Sequence, residues 1–316
     1  MLSLRSHASV RSVLVVLILA VLSGGGTAGC GGEENKSGSE GAAEETVRFV
    51  YVSWIEGIAM THVMKVLVED SLGYDAPLVQ AGGAAFAFSA VSEGDADVFL
   101  DAWLPTTHGP LWDRYGDRLV DLGPIYDSTT VGLVVPEYVD IQHVRDLGQI
   151  RGALGGEIVG IESGAAINDQ TQEVLAQYGL ADQFDVVSSS DAAMVSALRR
   201  AIGNQEPVVI TGWKPHWMWG RFDLRYLKGA RTGDTDVFGE PENIHKLVRP
   251  GFREEMPADV VALLEAAHLG EAAMTGLMTR FRPGEEDPID TARQWIRDHP
   301  DLVRSWLSRV KREASS

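Results

Sequence analysis

From residue 46 onward the apolar positions switch between a period of two and a period near 3.6. TVRFVYVSW reads as a strand, AMTHVMKVLVEDSLGY as a helix, APLVQA as a strand, AFAFSAVSEG as a helix and DADVFLDAW as a third strand. Gly73 and Gly94 stand where those helices should stop. The rhythm restarts at EIVGIES (157–163) and runs through INDQTQEVLAQYGL, FDVVSSS, DAAMVSALRRAIGN and EPVVITGW. This predicts two α/β units, each with its own mostly parallel sheet. Between them TTVGLVVPEYV (129–139) is strand-like, should end at Pro136, and suits a crossover. Beyond IHKLVRPGF, the segments ADVVALLEAAHL, AAMTGLMTRF and DTARQWIRDHPDLVRSWL are helical and offer no third sheet. The simplest arrangement returns these helices to the first unit. That gives a discontinuous lobe I (46–133 and 245–316), an inserted lobe II (134–244) and two crossing strands as a hinge.

The N-terminus carries a different pattern. Arg5 and Arg11 precede the apolar run VLVVLILAVL (13–22), and GGGTAGC follows, so residues 1–29 read as a secretory signal peptide. Cys30 follows the small residues Ala28 and Gly29, where a lipoprotein signal is cut and the new N-terminal Cys is acylated. The alternative is ordinary cleavage that leaves Cys30 a free thiol. Residues 30–45 are Gly-, Ser- and Glu-rich, as a flexible tether to a lipid anchor should be.

Composition narrows the function classes. A single Cys in 316 residues excludes an intrachain disulfide. Removing residues 1–29 takes away two arginines and no acid, which leaves 25 basic against 45 acidic residues, a formal charge of −20. Such a chain is a poor nucleic-acid partner. There is no G-x-S-x-G elbow, HExxH or P-loop pattern, which weighs against an exported hydrolase. No cofactor and no metal are expected: His62, His216, His245 and His268 lack a ligand spacing, and Glu242 to His245 is i,i+3 on a short helix at best.

Three tryptophans give the chain its chemistry. Trp54, Trp103 and Trp213 each follow an apolar strand directly, where parallel α/β sheets bind ligands. Indole faces attract a bulky, poorly hydrated cation, at about 1 to 2 kcal/mol per desolvated contact. Three supply about half of the roughly 8 kcal/mol that micromolar affinity requires, so the other end of the ligand needs its own contacts. His108, five residues after Trp103, can donate to a carboxylate. GIESGAAIND (160–169) is a turn running into a helix, whose first N–H groups form a second carboxylate site.

YVSWIEGIAMTHVMKVLVEDSLGY, DADVFLDAWLPTTH, GLVVPEYV, GIESGAAI, VVITGWKPHWMWGRFDLRYL and FGEPENIHKLVRPGF resemble the glycine betaine/proline betaine-binding proteins of osmoprotectant ABC transporters. The likeness covers residues 46 to about 308. It implies a two-lobed, type II periplasmic-binding-protein-like fold, each lobe a mixed sheet flanked by helices. It also implies an extracytoplasmic protein that closes over its ligand and delivers it to a permease and ATPase complex, as a monomer and without catalysis. Carried over by motif, the ammonium cage is Trp54, Trp103 and Trp213, the carboxylate donor is His108, and the two backbone amides are those of Ala166 and Ile167. Choline, carnitine and proline betaine stay open as alternatives to glycine betaine. Trp217 and Trp219 are expected to pack beside the cleft, Trp112, Trp295 and Trp306 to be structural, and Glu56 to make a capping or hinge hydrogen bond.

Overall fold

A computed structural model describes residues 46–281 and 286–313. The signal peptide, Cys30 and the tether expected in residues 1–45 lie outside them. The first series of elements is β1 (Phe49–Val52), α1 (Ile55–Val66), β2 (Leu78–Ala81), α2 (Ala84–Glu93), β3 (Val98–Leu104) and α3 (Gly109–Tyr115). A 17-residue strand, β4 (Val120–Pro136), then leads into α4 (Arg151–Leu154), β5 (Glu157–Val159), α5 (Ala166–Gln177), β6 (Asp185–Val187) and α6 (Asp191–Asn204). They are followed by β7 (Ile210–Lys214), α7 (Met218–Arg221), β8 (Leu224–Arg231) and β9 (Glu242–Val248). The chain closes with α8 (Phe252–Glu255), α9 (Ala258–Ala266), α10 (Glu271–Arg280), α11 (Pro288–Asp298) and α12 (Pro300–Glu313).

The strands form one path, β2-β1-β3-β9-β4-β7-β5-β6, with β8 on β4. β1 runs parallel to β2 and β3, and β5 runs parallel to β6 and β7, as the strand–helix rhythm requires. The centre is antiparallel: β9 lies against β3 and β4, and β4 against β7 and β8. The sheets are therefore mixed, and they are joined rather than separate. β4 makes the join, pairing with β9 from Val120 to Thr129 and with β7 from Thr130 to Val134. Its first half is longer than the sequence pattern predicts. Gly123, Pro124 and Ser128 look like turn residues, but register shifts along the β4–β9 ladder absorb them without ending the strand. This is the mixed α/β architecture, sheets flanked by helices, that the resemblance implies.

Glu242 to His245, read above as a short helix at best, is the start of β9. Its inward positions alternate Glu242, Ile244 and Lys246, so two charged residues occupy the buried face and hide the strand period. Both are satisfied: Thr106 and Thr107 amides reach the Glu242 carboxylate, and the Lys246 ammonium donates to the Pro124 and Ala267 carbonyls. DTARQWIRDHPDLVRSWL is two helices, α11 and α12, because Pro300 cannot continue the first and opens the second. α10 and α11 pack on α1, and Arg293 of α11 grips Asp70 at 2.9 and 3.1 Å. Trp295 and Trp306 are buried there, stacked on one another. Among the described residues, no single helix is long and apolar enough to cross a membrane.

Candidate functional site

A cavity with about 340 Å³ of empty space, its mouth included, opens between the two outer sets of strands. Its wall consists of Trp54, Glu56, Trp103, Thr107, His108, Val131, Ile161, Ala165, Ala166, Ile167 and Trp213. Every site residue expected from the sequence, Cys30 apart, lines this one space. Trp54, Trp103 and Trp213 are only 4%, 3% and 3% exposed although all three border this space, an aromatic lining of the kind small-molecule sites have. The strands reach further than their sequence suggested. Trp103 and Trp213 lie inside the ends of β3 and β7, whereas Trp54 caps α1 after β1.

Each indole N–H is held by a carboxylate. Trp54 Nε1 donates to Glu162 at 2.7 Å, Trp103 Nε1 to Asp101 at 2.9 Å, and Trp213 Nε1 to Glu56 at 2.9 Å. An indole offers one donor at its edge, and a bond there does not occupy a ring face. Asp101 needs α1 to come close, and Gly57 permits it: a Cβ there would stand 2.4 Å from the Asp101 carboxylate.

His108 and the start of α5 supply the polar part of the wall. The Trp103 amide donates to His108 Nδ1 at 3.0 Å, which makes Nδ1 the acceptor and places the ring proton on Nε2. Burial pushes the His108 pKa down to about 3, so the ring is a neutral donor across the whole physiological range. It also stacks on Trp54, with ring centroids 5.6 Å apart and planes 20° apart. The loop carrying it is pinned to β9 by Glu242, which accepts from the Thr106 and Thr107 amides and the Thr107 hydroxyl. The Asn168 side chain ties α5 to the strand end by accepting from the Ile161 amide and donating to the Ile161 and Glu162 carbonyls. Gly160 makes room for it, since a Cβ would sit 2.4 Å from Asn168 Oδ1. The Asn168 amide itself turns back to Ala165 O, and the amides of Ala166 and Ile167, first in α5, have no intrahelical acceptor.

Residues 45–298 match the family model described as the substrate-binding domain of ABC-type glycine betaine transport systems. The chain belongs to this family. Among solved structures it is similar to lactococcal OpuAC in its closed form with glycine betaine (32% identical, TM-score 0.75, 83% of this chain and 99% of that one). It is also similar to the glycine betaine/L-proline-binding protein ProX of Borrelia burgdorferi (27%, TM-score 0.77, 83% and 96%). A choline-binding ABC-transporter protein solved with choline matches at 27% identity and TM-score 0.74, over 83% and 91%. The glycine betaine/carnitine-binding protein GbuC of Listeria monocytogenes is 36% identical over 169 residues, which span 53% of this chain and 53% of that protein. As a member of this glycine betaine-system family the protein is a substrate-binding component, not an enzyme.

The carboxylates that hold the three indoles are the part of the site that the sequence conceals. No motif or spacing singles out Asp101 or Glu162, and Glu56, expected to cap a helix or brace a hinge, receives the Trp213 indole and lines the cavity. Burial and the neighbouring Asp101 hold the Glu56 carboxyl well above its usual range, and burial pushes Asp101 up to about 7. A raised carboxyl binds more protons in the folded chain than in the unfolded one, so its contribution to stability falls as pH rises from about 4 to about 7. Asp101→Asn keeps an acceptor for Trp103 and removes that titration. Its melting temperature relative to the unaltered protein should climb as pH goes from 4 to 8 in a calorimetric series; a flat difference would show that Asp101 does not titrate in this window. Trp217 is buried against His216, and Trp219 is half-buried, its indole donating to the Trp213 carbonyl at 2.7 Å, so both pack beside the cavity's Trp213 wall.

Proposed function

We propose that this protein is the extracytoplasmic receptor of an ABC importer and captures glycine betaine or a related betaine between two lobes. In this reading lobe I is 46–133 with 245–316, lobe II is 134–244, and the cavity between them holds the ligand. The quaternary ammonium sits among Trp54, Trp103 and Trp213. The carboxylate takes hydrogen bonds from His108 Nε2 and from the amides of Ala166 and Ile167. The observation that carries the reading is the convergence of three largely buried indoles, a neutral histidine donor and a helix N-terminus on one cavity. A methylated ammonium has no N–H to satisfy, so aromatic faces suit it, and the carboxylate end requires donors. The family and the betaine-bound relative support the same assignment.

Choline is the second reading, favoured by Glu56 in the cavity wall and by the choline-bound relative. Titration calorimetry with glycine betaine, proline betaine, carnitine, choline and proline separates the two. The expected result is tightest binding of a betaine, with the ligand recovered chemically unchanged. Choline as the tightest ligand would shift the assignment to the second reading. Loaded protein then delivers to a membrane permease and its ATPase, from an anchor at acylated Cys30. Cys30→Ser should release the protein from the membrane fraction, and its full retention there would remove the anchor from the account.

A further inference from the structure

Two of the three indole–carboxylate bonds cross the cavity, and they are reciprocal. Trp54, at the head of α1, donates to Glu162, which follows β5 on the other side. Trp213, at the end of β7, donates back to Glu56, two residues after Trp54. Each side therefore lends one indole edge and one carboxylate to the other. β5 and β7 are neighbours in the sheet, paired at Val159 and Ile210, so Glu162 and Trp213 belong to one rigid edge, just as Trp54 and Glu56 belong to one helix start. Trp103 differs: its N–H goes to Asp101 in its own strand, and its ring is oriented whether or not the two sides meet. A third crossing reinforces the pair, since the Ile55 amide donates to Asp191 at 3.3 Å while His216 binds the other oxygen of that carboxylate at 3.0 Å.

From this geometry we infer that Glu56 and Glu162 are positioning residues forming a reciprocal latch, which makes closure of the cleft and assembly of the tryptophan cage a single event. Separating the two sides takes the hydrogen-bond partner from Trp54 and from Trp213 together, so neither ring has a fixed edge in an open cleft. Closing them sets both rings against the cation already resting on Trp103. The latch acts on the lifetime of the closed complex, because its bonds form only after the ligand has entered. Association through the open cleft does not use them.

Glu162 provides the cleaner test, since it holds Trp54 but does not line the cavity, whereas Glu56 does both. The inference rests on the betaine reading, so stopped-flow binding of glycine betaine to the unaltered protein, with choline in parallel, comes first. Glu162→Ala is expected to speed glycine betaine dissociation about tenfold or more and to change association less than about threefold. Glu162→Gln, which keeps a carbonyl acceptor for the indole, should restore dissociation to within about threefold of the unaltered rate. The unliganded melting temperature of both variants should stay close to that of the unaltered protein, because the open form does not use the bond. Unchanged dissociation in Glu162→Ala, or a loss that Gln does not rescue, overturns the latch while leaving the betaine reading intact. Failure of the unaltered protein to bind either ligand overturns both.

Discussion

Replacing Trp213 with alanine should weaken glycine betaine binding by about 1 to 3 kcal/mol, roughly 5- to 150-fold. Three losses coincide at this position. One aromatic face disappears from the ammonium site, water enters a space whose wall is otherwise buried, and Glu56 loses the indole N–H that it holds at 2.9 Å. A carboxyl buried beside Asp101 tolerates that badly, since burial already disfavours its charged form. Trp103→Ala should fall in the same range, because it removes a face and leaves Asp101 without its donor. Both changes act on the ammonium end, so both should weaken choline as well. Calorimetry checks this directly; a change below about twofold, roughly 0.4 kcal/mol, for both variants would dismiss the cage.

His108→Ala should behave differently, costing betaines about 1 to 3 kcal/mol while leaving choline nearly untouched. The reason is the direction of its proton. Nδ1 is occupied by the Trp103 amide, so Nε2 is left to donate to an anion, and choline has none to offer. Stacking of His108 on Trp54 adds a small loss common to both ligands, so the readout is the difference between them. The pH response carries the same signature. An imidazole of ordinary pKa would gain charge as pH falls through 6.5 and would hold a carboxylate more tightly, whereas His108, pushed down to about 3, stays neutral. Protonation of His108 should therefore add no betaine affinity between pH 8 and pH 5. Equal losses for betaine and choline in His108→Ala would show general damage to the site.

The legible part of this protein was the part written in short segments. DAWLPTTH holds Trp103 and His108 within six residues, and strand–helix rhythm placed Trp54 and Trp213 at strand ends. The fold then brought all of them to one cavity. Glu162 and Glu56 could not be found the same way, because their indole partners are 108 and 157 residues distant and no local period joins them. On a chain with 45 acidic residues Glu162 looks like one more solvated carboxylate, and Glu56 reads as a helix cap or hinge contact. The central antiparallel strands were obscured for a related reason. β9 buries Glu242 and Lys246, and β4 carries Gly123 and Pro124 through register shifts, so in both strands polar or turn-type residues occupy positions that tertiary contacts satisfy.

If one cavity holds the two ends of a zwitterion by different means, a crystal structure of the protein with glycine betaine will show both. The methyl groups should pack on the faces of Trp54, Trp103 and Trp213. The carboxylate oxygens should lie within hydrogen-bond distance, about 2.7 to 3.2 Å, of His108 Nε2 and the amides of Ala166 and Ile167. A ligand bound with its carboxylate among the tryptophans, or held away from His108 and α5, would refute this arrangement.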